Sequence, residues 1–190
     1  FGSSDFAIPS LKALAEGGFA PGLVVAKPDA PRGRGRKIYD NEVKLAAESL
    51  GLECLQPEDP HGPECLQRLG DYGPDLGVVV SYGVILKSDL LKLPAKGHIN
   101  AHASLLPLYR GAAPIQFALW EGQAKTGVTI MKVAEELDAG DVLLREETPI
   151  EPGENAGALR TRLAELSGKA LLKALALIAE GKDNYEPQDH

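Results

Sequence analysis

Leu76-Gly77-Val78-Val79-Val80-Ser81-Tyr82-Gly83 is the stretch on which the fold turns. It begins apolar throughout, not alternating, and it stops at a Ser-Tyr-Gly turn. A short run of that kind describes a strand buried on both faces. Gly22-Leu23-Val24-Val25-Ala26 and Leu52-Glu53-Cys54-Leu55 read as short strands before it, and Lys96-Gly97-His98-Ile99-Asn100-Ala101 as the next one. Helical spacing fills the intervals. Phe6, Ile8, Leu11 and Leu14 form one apolar face, ended by Gly17-Gly18; Val43, Ala46, Ala47 and Leu50 form a second, closed by Gly51; Cys65, Leu66 and Leu69 mark a third. Phe1 to Asp5 reads as the end of another strand turning into the first helix, with Ser4 as its N-cap. The chain opens without Met, so most of that strand is expected upstream.

This exchange of short apolar strands and helices predicts an α/β protein. Its sheet is Rossmann-like and mostly parallel, with helices on both faces. The C-terminal half departs from the pattern. Residues 127–133 and 142–148 read as strands joined by an acidic loop, an antiparallel pair. Pro114 to Glu121 reads as a helix with Pro in its first turn and Gly122 beyond its end. Residues 155–179 read as a long amphipathic helix, and residues 181–190 as a polar, linker-like tail.

The 190 residues suit one domain with a full core, and 44% hydrophobic with 25% charged residues is ordinary for a soluble protein. A net charge of −7 argues against a uniformly basic surface, so a nucleic acid would have to meet a local patch. Cys54 and Cys65 lack a Cys-x-x-Cys spacing and paired histidines, and read as reduced thiols. No cluster has metal-ligand spacing. No apolar run approaches the ~20 residues that span a bilayer, and no secretory signal is visible. These features predict a cytoplasmic protein with no membrane partner.

In open parallel sheets, ligands bind beyond the carboxyl ends of the strands. That rule puts Ser81-Tyr82-Gly83 and Asn100-Ala101-His102 on one rim. Residues two apart in a strand project to the same face, so Asn100 and His102 point the same way. A carboxamide can donate to a developing oxyanion, and an imidazole can donate or shuttle a proton. Together they suit a tetrahedral intermediate at an acyl carbon. Capping a strand end is the plainer use of both residues, and the more common one. A carboxylate beside His102 would orient the ring. The loop Glu135-Glu136-Leu137-Asp138-Ala139-Gly140-Asp141 offers several, and spacing does not choose among Glu136, Asp138 and Asp141. Tyr82-Gly83-Val84-Ile85-Leu86 can line a slot for a flat heterocycle, or simply be core. Lys27 to Lys37 carries five cations and two glycines against one acid. It reads as a mobile loop, either merely solvated or an arm for phosphates. No Walker A or Gly-x-Gly-x-x-Gly pattern occurs.

Asn100-Ala101-His102-Ala103-Ser104-Leu105-Leu106-Pro107-Leu108-Tyr109-Arg110-Gly111-Ala112-Ala113-Pro114-Ile115-Gln116 resembles the signature of the folate-dependent formyltransferases. The basic loop, residues 82–86, residues 126–131, residues 137–141 and Pro187-Gln188-Asp189 follow in that family's order. The resemblance therefore covers nearly the whole chain. It implies a catalytic trio of Asn100, His102 and Asp138. It implies 10-formyltetrahydrofolate as formyl donor, with no metal, held by Tyr82, Gly83, Val84, Ile85, Leu86, Ala134, Glu135, Glu136 and Leu137. Ser104, Leu105, Leu106, Pro107, Arg110 and Gly111 would lie near the substrate.

The Arg110 to Gln116 run is most similar to members that formylate the α-amine of methionine on initiator tRNA. In those members the basic loop engages the tRNA, which here implicates Arg32, Arg34, Arg36 and Lys37. Their location is cytoplasmic in bacteria, or organellar. Residues 1–190 would then be the catalytic domain, lacking the family's C-terminal β-barrel. Rival readings are a formyltransferase acting on the amino sugar of a sugar nucleotide, and a non-catalytic RNA- or folate-binding module. Gly2-Ser3-Ser4 replaces the family's Gly-Thr-Pro, and Tyr39-Asp40-Asn41-Glu42 its proline-rich link.

Overall fold

The computed structural model describes residues 1–32 and 37–189. In chain order a 3-10 turn, Asp5–Ala7, runs into helix α1, Ile8–Glu16. Strands β1, Val24–Val25, β2, Ala30–Arg32, and β3, Lys37–Tyr39, precede α2, Glu42–Ser49. Then come β4, Cys54–Leu55; α3, Pro63–Tyr72; β5, Gly77–Val79; α4, Ser88–Leu91; and β6, His98–His102. The chain continues through α5, Pro114–Trp120; β7, Lys125–Lys132; β8, Val142–Pro149; and α6, Ala156–Ala179.

β5 and β6 pair parallel, while β6–β7 and β7–β8 pair antiparallel, as the sequence predicts for the last two strands. β1 and β4 form a separate parallel pair. Residues 1–3 join the two sheets. The Gly2 amide donates to the Val25 carbonyl (3.0 Å), and the Val80 amide donates to the Phe1 carbonyl (2.9 Å). The layer therefore runs β4, β1, residues 1–3, β5, β6, β7, β8. Successive residues in these strands face opposite cores. Val24, Val80, Ile99 and Ala101 pack with α1, α2 and α6 in the main core. Val25 and Val79 pack with α3 and α4 through Cys65, Leu69 and Leu90. This two-sided burial is why the strands read as continuous apolar runs.

Helix α6 lies close on α1. A Cβ on Gly168 would sit 3.0 Å from the Ala13 Cβ and 3.2 Å from the Pro9 carbonyl oxygen. Asn155 caps α6 by accepting from the Ala158 amide (3.0 Å), and Asn41 caps α2 by accepting from Val43 (2.9 Å).

Three expectations change. Ser4 makes no capping hydrogen bond; its hydroxyl pairs with that of Ser81 at 2.7 Å. The basic segment is not simply a loop, because β2 and β3 pair antiparallel from Ala30↔Tyr39 to Arg32↔Lys37. The 181–190 tail does not stand off from the domain. Glu186 and Val142 exchange both backbone hydrogen bonds, each 2.8 Å, and Gln188 is buried.

Candidate active site

Because Ile99 and Ala101 turn into the main core, Asn100 and His102 turn to the other face. Both line a cavity of about 460 Å³ at the end of β5 and β6. Asn100 is partly exposed there, and no hydrogen bond within the described residues engages its carboxamide. His102 is buried, and its Nε2–H donates to the Tyr109 carbonyl at 2.9 Å. That bond fixes the tautomer, since a carbonyl can only accept. Nδ1 is left facing Asp138, whose Oδ2 is 3.5 Å away. The same oxygen accepts from the Gly111 amide at 2.9 Å. The acidic loop thus offers one carboxylate to His102, and it is Asp138.

The loops around the trio are held under backbone strain. Ser81 (φ 47°), Tyr109 (φ 59°) and Asp138 (φ 51°) all sit in the left-handed region without being glycine. Each such residue costs about 1–3 kcal/mol and persists only where its surroundings over-determine it. Neighbouring backbone is tied down from several sides. Thr129, fully buried on β7, accepts from the Leu106 amide (3.0 Å) and donates to the Ser104 carbonyl (2.7 Å). The Arg145 Nε donates to the Leu106 carbonyl at 2.8 Å. On the other wall, the Lys27 ammonium donates to the Gly83 carbonyl at 2.9 Å, pinning the turn after β5.

A family model described as formyl transferase matches residues 1–175. The chain belongs to the formyl transferase family. The methionyl-tRNA formyltransferase of Moorella thermoacetica is 47% identical to it over 188 residues, covering 99% of this chain and 60% of that protein. The chain thus spans about 60% of the length of the curated relatives it matches. Among solved structures, glycinamide ribonucleotide transformylase 1 from Symbiobacterium toebii superposes with a TM-score of 0.80 at 22% identity, over 99% of this chain and 92% of that one. The N-formyltransferase from Helicobacter canadensis, solved with folinic acid and dTDP-3-aminofucose, gives 0.70 at 15% identity, over 100% of this chain and 66% of that one. Likeness at such identities is likeness of fold, and it agrees with the α/β architecture read from the sequence.

The cavity gathers most of the expected folate contacts. Tyr82 through Leu86 form one wall, and Ala134, Glu135 and Leu137 the other; Glu136 is exposed and lies off the cavity. Ile85 is 67% exposed and Leu137 58%, one on each wall, so a flat ring entering between them would cover both. Burial pushes the Tyr82 phenol up to about 12, which keeps it neutral. The slot is thus walled mainly by apolar side chains and backbone.

The expected substrate neighbours divide. Gly111 lines the cavity, whereas Ser104 and Leu106 are buried props of the loop, with the Ser104 hydroxyl bonded to the Leu108 carbonyl. Leu105 packs toward Gly127 on β7, and Pro107 is exposed. Arg110 donates to Gln188. Arg32 and Lys37 end the paired part of the basic ribbon, while Arg34 and Arg36 lie outside the described residues. Ala112, Pro114, Ile115 and Gln116, at the start of α5, also reach the cavity.

A larger cavity, about 610 Å³, opens at the amino ends of β1 and β5. It lacks the trio. Its buried imidazole, His98, has no hydrogen-bond partner at either ring nitrogen among the described residues, and burial pushes it down to about 4. Among the described residues no three His, Cys, Asp or Glu side chains gather to hold a metal. No described helix is long and apolar enough to cross a membrane.

Proposed function

We propose that this chain transfers a formyl group from 10-formyltetrahydrofolate to the free α-amine of methionine on initiator tRNA, in the bacterial cytoplasm where translation starts. One observation carries the reading. An unengaged carboxamide, an imidazole and a carboxylate meet at the mouth of an apolar slot, in a chain 47% identical to a methionyl-tRNA formyltransferase. Tyr82 to Leu86 and Ala134 to Leu137 would hold the pterin ring. Arg32, Arg34, Arg36 and Lys37 would meet the tRNA backbone, where cations exchange for condensed counterions.

The chemistry is direct acyl transfer, and it calls on no metal. As the amine nitrogen bonds to the formyl carbon, the carbonyl electron pair moves onto oxygen, and the Asn100 amide donates to that oxyanion. His102 has Nε2 committed to Tyr109, so Nδ1 takes the proton released by the amine. Asp138, at 3.5 Å, steadies the resulting imidazolium by charge, at a distance longer than a hydrogen bond. His102 then returns the proton to N10 as the bond from N10 to the formyl carbon breaks and the carbonyl re-forms. Gly111 keeps the carboxylate from swinging away.

The deciding assay supplies the intact protein with 10-formyltetrahydrofolate and compares two acceptors. Charged methionyl initiator tRNA is expected to be formylated far faster than a nucleotide-linked amino sugar. Preference for the sugar would move the chain to the other acceptor class. Formyl transfer to neither acceptor would leave a binding module.

A further inference from the structure

Gln188 lies in the tail beyond α6, carries no reacting group, and is 5% exposed. Its side chain meets both loops that flank His102. Oε1 accepts from the Arg110 Nε (3.1 Å) and Nη2 (2.9 Å). Nε2 donates to the carbonyls of Asp138 (2.9 Å) and Gly140 (2.7 Å). We propose that Gln188 is a positioning residue of the reaction: it clamps the Asp138 loop to the Arg110–Gly111 turn and so sets the Asp138–His102 separation. This rests on the trio assigned under the proposed function.

Only a primary amide of this length suits the place. One end must accept from a guanidinium while the other donates to two carbonyls. Glutamate would keep the first pair of bonds and set an oxygen against two oxygens. Alanine would leave the polar groups of both loops without their bridge. The clamp acts where conformation is unfavourable. Asp138 has φ 51°, and its carboxylate is held from one side by the Gly111 amide while its carbonyl is held from the other by Gln188. Gly140 has no slack, since a Cβ there would lie 1.9 Å from the Lys132 carbonyl oxygen. The tail itself is fixed two residues earlier by the Glu186–Val142 bridge. The segment that follows the last helix is therefore part of the site, and displacing it would release the carboxylate that faces His102.

The test uses Gln188→Met, which keeps the length and removes the polar atoms, and Gln188→Glu, which keeps the Arg110 bonds. With methionyl initiator tRNA and 10-formyltetrahydrofolate, kcat should fall about ten-fold or more in both. Each KM should stay within about two-fold, and adding either change to Asp138→Asn should cost less than about two-fold more, because the clamp works through Asp138. A crystal structure of Gln188→Met should show Asp138 Oδ2 displaced from His102 Nδ1. An unchanged kcat, a full loss persisting in Asp138→Asn, or an unmoved Asp138–His102 pair would overturn the proposal. A wild-type protein unable to formylate the tRNA would instead sink the functional reading, and the crystallographic comparison would still decide the clamp.

Discussion

The rim at the end of β6 and the basic ribbon of β2 and β3 are both irregular polar stretches in the sequence, yet they are built in opposite ways. The rim is enclosed. His102 and Thr129 are buried, Asp138 is nearly so, and bonds from β7, β8 and the tail tie down Ser104, Leu106 and the left-handed Asp138. The ribbon projects. Ile38 is 69% exposed and Tyr39 49%, and a side-chain anchor lies at the ribbon's base, where Asp29 accepts from Asn41, Lys44 and Gln56. A site that stabilises charge in a transition state needs groups already in place, because reorganisation at that moment raises the barrier. A surface that meets a large polyanion needs reach and cations. Rigidity is concentrated where chemistry is proposed, and exposure where a partner is.

The comparison breaks most sharply at Asn100. Replacing one oxyanion donor typically costs about 2.7–4 kcal/mol. Asn100→Ala should therefore lower kcat by hundreds-fold while the KM for 10-formyltetrahydrofolate stays within about two-fold. Steady-state kinetics would show it, and turnover near wild type would remove Asn100 from the chemistry.

Thr129→Val tests the enclosure. Valine keeps the shape, but it leaves the Leu106 amide and the Ser104 carbonyl buried without their hydroxyl partner. Each unsatisfied group costs about 1–3 kcal/mol, so urea unfolding should register a loss of about 2–6 kcal/mol. A loss below about 1 kcal/mol would mean the loop is held by something else. In the ribbon, by contrast, Arg34→Ala should leave stability and folate use alone, raise the KM for tRNA by about ten-fold, and reduce the salt slope of tRNA binding by about one. A defect in folate binding would mean that the ribbon does not serve the tRNA.

The enclosed region was also the more legible one, up to a point. Val78, Val79 and Val80 declare a central strand because both of their faces are buried. Period two then puts Asn100 and His102 on one side without any further information. Asp138 could not be separated from Glu136 or Asp141, because the choice is made by a left-handed turn and by the Gly111 amide far back in the chain. Gln188 enters only through the family resemblance of Pro187-Gln188-Asp189 and gives no sign of a role: a lone amide in a polar tail looks solvated until folding brings it under Arg110. Helix α4 is a single turn, too short to show a period. The ribbon reads as a mobile loop because its charges outnumber its apolar residues, yet the closure of its base aligns Ala30 with Tyr39.

The smallest expected effect is at that base. The Lys44 ammonium, the Gln56 amide and the Asn41 amide hold the Asp29 carboxyl well below the usual carboxylate range. A carboxyl with a depressed folded-state pKa contributes stability above its unfolded value, and that stability is lost as pH falls through the folded value. The anchor should hence be intact from neutral pH down through the ordinary carboxylate range, and should give way only in stronger acid. The backbone amide of Asn41 donates to Asp29 Oδ1 at 2.8 Å, so its hydrogen-exchange protection reports the anchor directly. In wild type, protection corrected for intrinsic exchange should hold between pH 7 and 5. In Asp29→Ala it should already be lost at pH 7, with only a two- to three-fold rise in the KM for tRNA, since the cations remain and only their mounting loosens. If wild-type protection instead faded between pH 7 and 5, the ribbon would be hinged on a different group. If Asp29→Ala disabled formyl transfer as severely as Asn100→Ala, the two regions would not be separable, and the division between a rigid chemical rim and an exposed arm would fail.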